Sequence, residues 1–204
     1  MRTNIVYKGI SLLLTVLLLL GMEVVMPMNQ VSASGYDASA AVSYAKTYWS
    51  NYNSSYVNYN DIGNDGANFV SQCLHAGGLE MTDGWYWYSR NNRSASWASC
   101  PSMYDYFKGA GYTMIENPSD NQILAGNPVL YYSSAKGRWS YAAICVGRDS
   151  SGMPVVAAHN HDYYGLDWKL GTGWSKRCTI LMNTQNPLSN LFLWIKNVMR
   201  LERL

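Results

Sequence analysis

Residues 63–79, GNDGANFVSQCLHAGGL, decide how the rest of this sequence reads. Gly63, Asn64, Asp65 and Gly66 are the residue types of a loop that ends in a helix N-cap, and residues 67–76 predict a helix that the Gly77-Gly78 pair stops. Phe69, Val70, Cys73 and Leu74 fall at i, i+1, i+4 and i+5, the spacing of one buried stripe. A helix entered through Asn-Asp-Gly and buried along one side turns its unpaired N–H groups and positive dipole end toward whatever cleft lies above it. Cysteine hydrolases place a nucleophile at such a helix start, because the dipole helps to hold a thiolate there.

Upstream of this stretch, Asp37 caps a predicted helix whose apolar face is Ala41, Val42, Ala45, Tyr48 and Trp49. Residues 51–64, rich in Asn, Tyr and Ser without a period, predict the loop that joins the two helices. Further out, Arg2 and Lys8 precede an apolar run over 10–20, and Val31-Ser32-Ala33 follows. That order is the pattern of a secretory signal peptide, so residues 1–33 are expected to be removed between Ala33 and Ser34; an uncleaved anchor is the alternative. Removing Arg2, Lys8 and Glu23 from the 15 basic and 13 acidic residues leaves 13 and 12, a nearly neutral protein. No basic stripe is present to neutralise phosphates, so nucleic acid is excluded as a partner. Four cysteines, Cys73, Cys100, Cys145 and Cys178, allow two disulfides with three connectivities in a secreted chain. None has the CxxC spacing of a zinc site, and no cofactor is expected.

Downstream, residues 80–99 hold Trp85, Tyr86, Trp87, Tyr88, Arg90, Asn91, Arg93 and Trp97 and predict an aromatic loop. Its rings suit stacking on a sugar or peptide, and suit equally a loop anchored by its own aromatics. Residues 102–110 predict a helix with Met103, Tyr106 and Phe107 inward. The second half changes period. Residues 128–132, 140–147, 154–158 and 176–182 read as strands separated by short turns, which predicts an antiparallel sheet. Helices first and sheet second is the α+β layout, here spanning residues 34–186. Residues 187–204 form an amphipathic helical pattern with Lys196, Arg200 and Arg203 on the polar side. Such a tail packs on its own domain, lies on a membrane surface or docks on a partner.

The segment DGANFVSQCLHAGGLEM resembles the one that reads Asp-Cys-(Thr/Ala)-Asn-(Phe/Tyr)-(Val/Ile)-Ser-Gln-Cys-Leu in the putative amidase domain family of Gram-positive bacteria. The opening helix, YDASAAVSYAKTYW, and the turn at 122–127 also resemble that family, and the likeness covers about residues 35–184. It implies a papain-like fold related to the NlpC/P60 and CHAP cell-wall hydrolases, with N-terminal helices packed on the antiparallel sheet. Amide hydrolysis by that route needs a thiolate, an imidazole and a third group that orients the imidazole. Where the family has its Cys, this chain has Gly66, and the position of the family's His holds Tyr141. A tyrosine, ordinarily titrating near ~10, is no base at neutral pH. Only the third group is matched, by His159 or Asn160.

No other residue replaces the missing pair in an evident way. Cys73 lies seven residues past Gly66, ~10.5 Å deeper along the helix. Cys145 lies four residues past Tyr141, roughly 13 Å along the strand. Ser71 and Ser140 lack a base, and His75 sits at the far end of the helix. His159 and His161, with Asp162, offer metal-ligand types, but the His-x-His pair at a strand end needs a further ligand from elsewhere that the sequence does not point to, so no metal is expected. The sequence therefore predicts a secreted or wall-associated pseudoenzyme that binds a cell-wall peptide, glycan or extracellular protein in the old cleft. Asp65, Asn68, Trp85, Trp97, Tyr141 and His161 are its expected ligand contacts. An amidase with a non-standard nucleophile and a purely structural module are the alternatives.

Overall fold

A computed structural model describes residues 35–60 and 63–185, so the expected signal peptide and the 187–204 tail lie outside the described residues. Helix α1 (Ala38–Tyr48) starts as predicted: the Asp37 carboxylate accepts from the N–H groups of Ser39 and Ala40. Helix α2 (Gly66–Ala76) ends on Gly77 and Gly78. Gly78 has φ +88°, the left-handed conformation that closes a helix at low cost only for glycine. The Gly77 carbonyl accepts from the Asp37 N–H at 2.7 Å, so the end of α2 fixes the start of α1.

The 80–99 segment is more ordered than a loop. It carries a short hairpin, β1 (Trp87–Ser89) with β2 (Asn92–Arg93), and a one-turn helix, α3 (Ala95–Ala98), before α4 (Cys100–Gly109). Trp85 and Trp97 are fully buried core residues. Their indole N–H groups need partners once buried, and α2 supplies them: Trp85 Nε1 donates to Ser71 Oγ at 3.0 Å and Trp97 Nε1 to Asn68 Oδ1 at 2.9 Å. Ser71 Oγ donates onward to the Trp97 carbonyl, and Gln72 Oε1 accepts from the Tyr44 hydroxyl. The polar positions of ANFVSQ thus tie the tryptophan loop and α1 to the central helix.

One antiparallel sheet follows, built from β3 (Tyr112–Glu116), β4 (Pro128–Ser133), β5 (Arg138–Arg148), β6 (Pro154–Ala158), β7 (Tyr163–Asp167) and β8 (Lys176–Gln185), in the order β3-β8-β4-β5-β6-β7. Strand alternation sorts its side chains onto two faces. Leu130, Ala142, Ile144, Ala157 and Ile180 join the helices and tryptophans in one core. Val129, Tyr131, Tyr141, Ala143, Cys145, Val156 and Ala158 form a second core with Ile123 and Trp168 on the other face. The fold is therefore α+β with an antiparallel sheet, as the sequence predicts. The edge strands β3 and β7 go beyond the strands that the sequence predicts, because their half-buried and exposed residues lack a clean alternation. All four cysteines are free and buried, so neither of the two allowed disulfides forms. No helix among the described residues is long and apolar enough to cross a membrane.

Candidate functional site

The start of α2 is built on Asp65, whose side chain does not cap the helix as an Asp at this position usually would. It is fully buried, and its Oδ1 accepts from the Tyr59 N–H and from Asn68 Nδ2, both at 2.9 Å. Its Oδ2 lies 2.5 Å from His159 Nδ1. The other ring nitrogen, Nε2, is 2.8 Å from the Tyr48 carbonyl. A carbonyl only accepts, so Nε2 is the donor to Tyr48, and Nδ1 faces the Asp65 carboxyl group. The imidazole is 1% exposed and sandwiched between Tyr52 and Phe69, with centroid distances of 3.9 and 4.0 Å. His159 is a clamp between the end of α1, the start of α2 and the end of β6.

Capping of α2 falls to Asn64. Its Oδ1 accepts from the Gly66 N–H at 2.8 Å while its Nδ2 donates to the Ser140 carbonyl at 2.7 Å. The Asp65 N–H is taken by Asn160 Oδ1 at 2.5 Å. Asn160 reaches it from a left-handed backbone conformation, φ +82°, that asparagine tolerates. The N–H groups of Asp65 and Gly66 are therefore already taken by side chains, where the sequence reading expects open donors facing a cleft. Nor does Gly66 leave a gap. A Cβ there would lie 2.7 Å from the Ala142 carbonyl oxygen and 3.3 Å from the Ala142 nitrogen, both backbone atoms of β5. Helix and strand have closed on the place where a side chain would stand.

Tyr141 faces away from that closure. Its ring belongs to the second core, stacked on Trp174 at 5.8 Å, and its hydroxyl donates to the His159 carbonyl at 2.7 Å. Burial pushes its phenol up to about 12, so it stays protonated at neutral pH. The expectation that the His159 ring would orient a group at 141 is thus corrected: only the His159 main chain meets Tyr141.

Beside this closed centre lies a cleft of about 980 Å³. Its walls come from the β4–β5 turn, the junction of α3 and α4, the β6–β7 turn and the segment before β8. Of the expected ligand contacts, Tyr141 and His161 line it, together with Asn160, which the sequence offers only as an orienting group. Asp65, Asn68, Trp85 and Trp97 do not: all four are 0% exposed, with their polar atoms committed to the core contacts described above. The lining also contains Asn64, Cys100, Lys136, Arg138 and Trp174, which sequence reasoning did not select. Asn64 was legible as loop chemistry only. Lys136 and Arg138 flank a turn glycine, and Cys100 opens α4 beside Pro101; neither setting advertises a shared cleft.

Cys100 is the one thiol on the cleft. Burial pushes it up to about 12, against a smaller opposing pull from Arg138. It is a protonated thiol at neutral pH and a poor nucleophile in this state. Among the described residues no group of three or more His, Cys, Asp or Glu side chains converges as a metal site would require.

The chain is similar to the Uncharacterized protein YhbB of Bacillus subtilis (strain 168), with 34% identity over 135 residues, covering 62% of this chain and 42% of that protein. It thus spans less than half the length of that curated relative. No solved structure matches it. Residues 35–182 match the family described as "Putative amidase domain", an interval holding α1, α2, the tryptophan loop and nearly the whole sheet, and the chain belongs to that family.

Proposed function

We infer that this is a catalytically silent member of its family, exported from the cell, which binds a cell-wall peptide in the cleft beside the old catalytic centre and does not cleave it. The fold behind this reading is papain-like, of the NlpC/P60 type: a central helix starts against the middle of an antiparallel sheet, in the relation that such hydrolases use to join nucleophile and base. The observation that carries it is the 2.7 Å approach of a virtual Gly66 Cβ to the Ala142 carbonyl oxygen. That spacing supports loss of the nucleophile as a settled feature of the packing. The commitment of the Asp65 and Gly66 N–H groups to Asn160 and Asn64 supports the same reading, because it takes two backbone donors that an oxyanion would need.

Incubating the full chain with purified peptidoglycan tests this. Expected is co-sedimentation with the insoluble wall and no release of soluble peptides or new amino groups. Release that is lost in Cys100→Ser would overturn silence in favour of a displaced thiol at the cleft. Neither sedimentation nor release would leave the purely structural reading.

A further inference from the structure

This inference deepens the peptide-binding reading and rests on it. The cleft is recognisable by which of its polar groups are already committed. Asn64 spends its amide on Gly66 and Ser140, and Asn160 spends its own on Asp65 and Gly63. The Tyr141 hydroxyl donates to the His159 carbonyl, and the Ser140 hydroxyl to the Arg138 carbonyl. The amides and hydroxyls nearest the old catalytic centre therefore hold the walls together.

What remains includes the Tyr163 hydroxyl, buried without a hydrogen-bond partner among the described residues, and charge. Lys136 and Arg138 are exposed, line the cleft, and have no carboxylate partner among the described residues. They stand two positions apart at the β4–β5 turn, so both cations serve the same end of the cleft. The lining holds one carboxylate, Asp167, which accepts from the Lys169 N–H on its own loop. Two permanent positive charges against one negative leave the cleft short of an anion. Beside them the wall is apolar: Leu166, 49% exposed, and Trp174 line the same space.

We propose that the cleft selects peptides through a free carboxylate, which Lys136 and Arg138 take at the β4–β5 turn while the apolar part of the peptide lies against Leu166 and Trp174. A planar guanidinium and an ammonium side by side suit one carboxylate better than a neutral amide, which offers one acceptor oxygen and no charge. Because both cations are solvent-exposed, each contributes modestly and the selection weakens with salt.

The probe is the wall-type tetrapeptide L-Ala-D-Glu-L-Lys-D-Ala, used as the free acid and with both carboxyl groups converted to amides, titrated calorimetrically into the full chain. The free acid should bind about twofold to twenty-five-fold more tightly, since each of the two exposed pairs is worth up to about fivefold. In Lys136→Gln with Arg138→Gln, a double change at exposed positions, that preference should vanish while binding of the amide form stays. Equal affinity of the two forms, or a preference that survives the double change, overturns the carboxylate inference and leaves the peptide-binding reading standing. No binding of either form overturns both.

Discussion

Under the proposed function, what separates Gly66 from a nucleophile is a side chain for which the packing leaves no room. Alanine is the better helix former, so a packing reason is needed for glycine at the first residue of α2. The Ala142 carbonyl supplies that reason, since only a residue without Cβ lets α2 come this close to β5. Gly66→Ala is therefore expected to destabilise the protein by about 1–3 kcal/mol, the usual cost of overpacking, despite the better helix propensity. Gly66→Cys with Tyr141→His should restore no amide hydrolysis, because the new thiol would displace backbone, and the residue at 141 faces the opposite side of the sheet. Chemical denaturation and a muropeptide assay check the two parts. A Gly66→Ala protein as stable as the parent, or measurable turnover by the double variant, would show that the helix and strand can separate freely. The substitution itself was legible in the sequence. Its meaning was not, because a missing side chain reads alike whether the space is open or filled by a neighbouring strand.

Between elements, the Asp65–His159 pair does the joining. The carboxylate comes from the residue before α2, the imidazole from the residue after β6, and the ring's Nε2–H goes to the carbonyl of the last residue of α1. Breaking a buried pair from one side strands the other charge, at a cost of about 3–5 kcal/mol. His159→Ala should lose that much stability and also loosen the β6–β7 turn, since Asn160 and the Tyr141 acceptor at the His159 carbonyl depend on it. Urea unfolding, with hydrogen exchange at the start of α2, measures both effects. A variant with unchanged stability would mean that the pair contributes little to the fold and would reopen a role for it at the cleft. Sequence reasoning placed His159 correctly on a strand end, yet gave it an orienting role toward position 141. Elements with a clear period, α1, α2 and the central strands, were legible because burial on one side imposes that period. The pairing of Asp65 with His159 spans 94 positions and carries no local signal.

Across the whole molecule the same economy shows in its acid groups. The core is rich in phenols and thiols, and burial raises them together: Cys100, Cys178 and Tyr141 to about 12, with Tyr36, Tyr131 and Tyr163 also pushed up by burial. In an unfolded chain these groups ionise at their ordinary values, 9.0 for the thiols and 10.0 for the phenols. Below about pH 9 both states are protonated, and these groups lend stability no pH dependence. Above it the unfolded chain loses protons that the folded protein keeps, so stability falls as pH rises from about 9 toward about 12. Unfolding at high pH should therefore be cooperative, with tyrosinate absorbance from the buried phenols appearing together with loss of tertiary signal. Urea midpoints taken in steps from about pH 7 to about pH 11 should be level at first and then decline. Phenols that titrate gradually near their ordinary value while the fold persists would show that water reaches both cores, and the two-faced packing of the sheet would have to be redrawn.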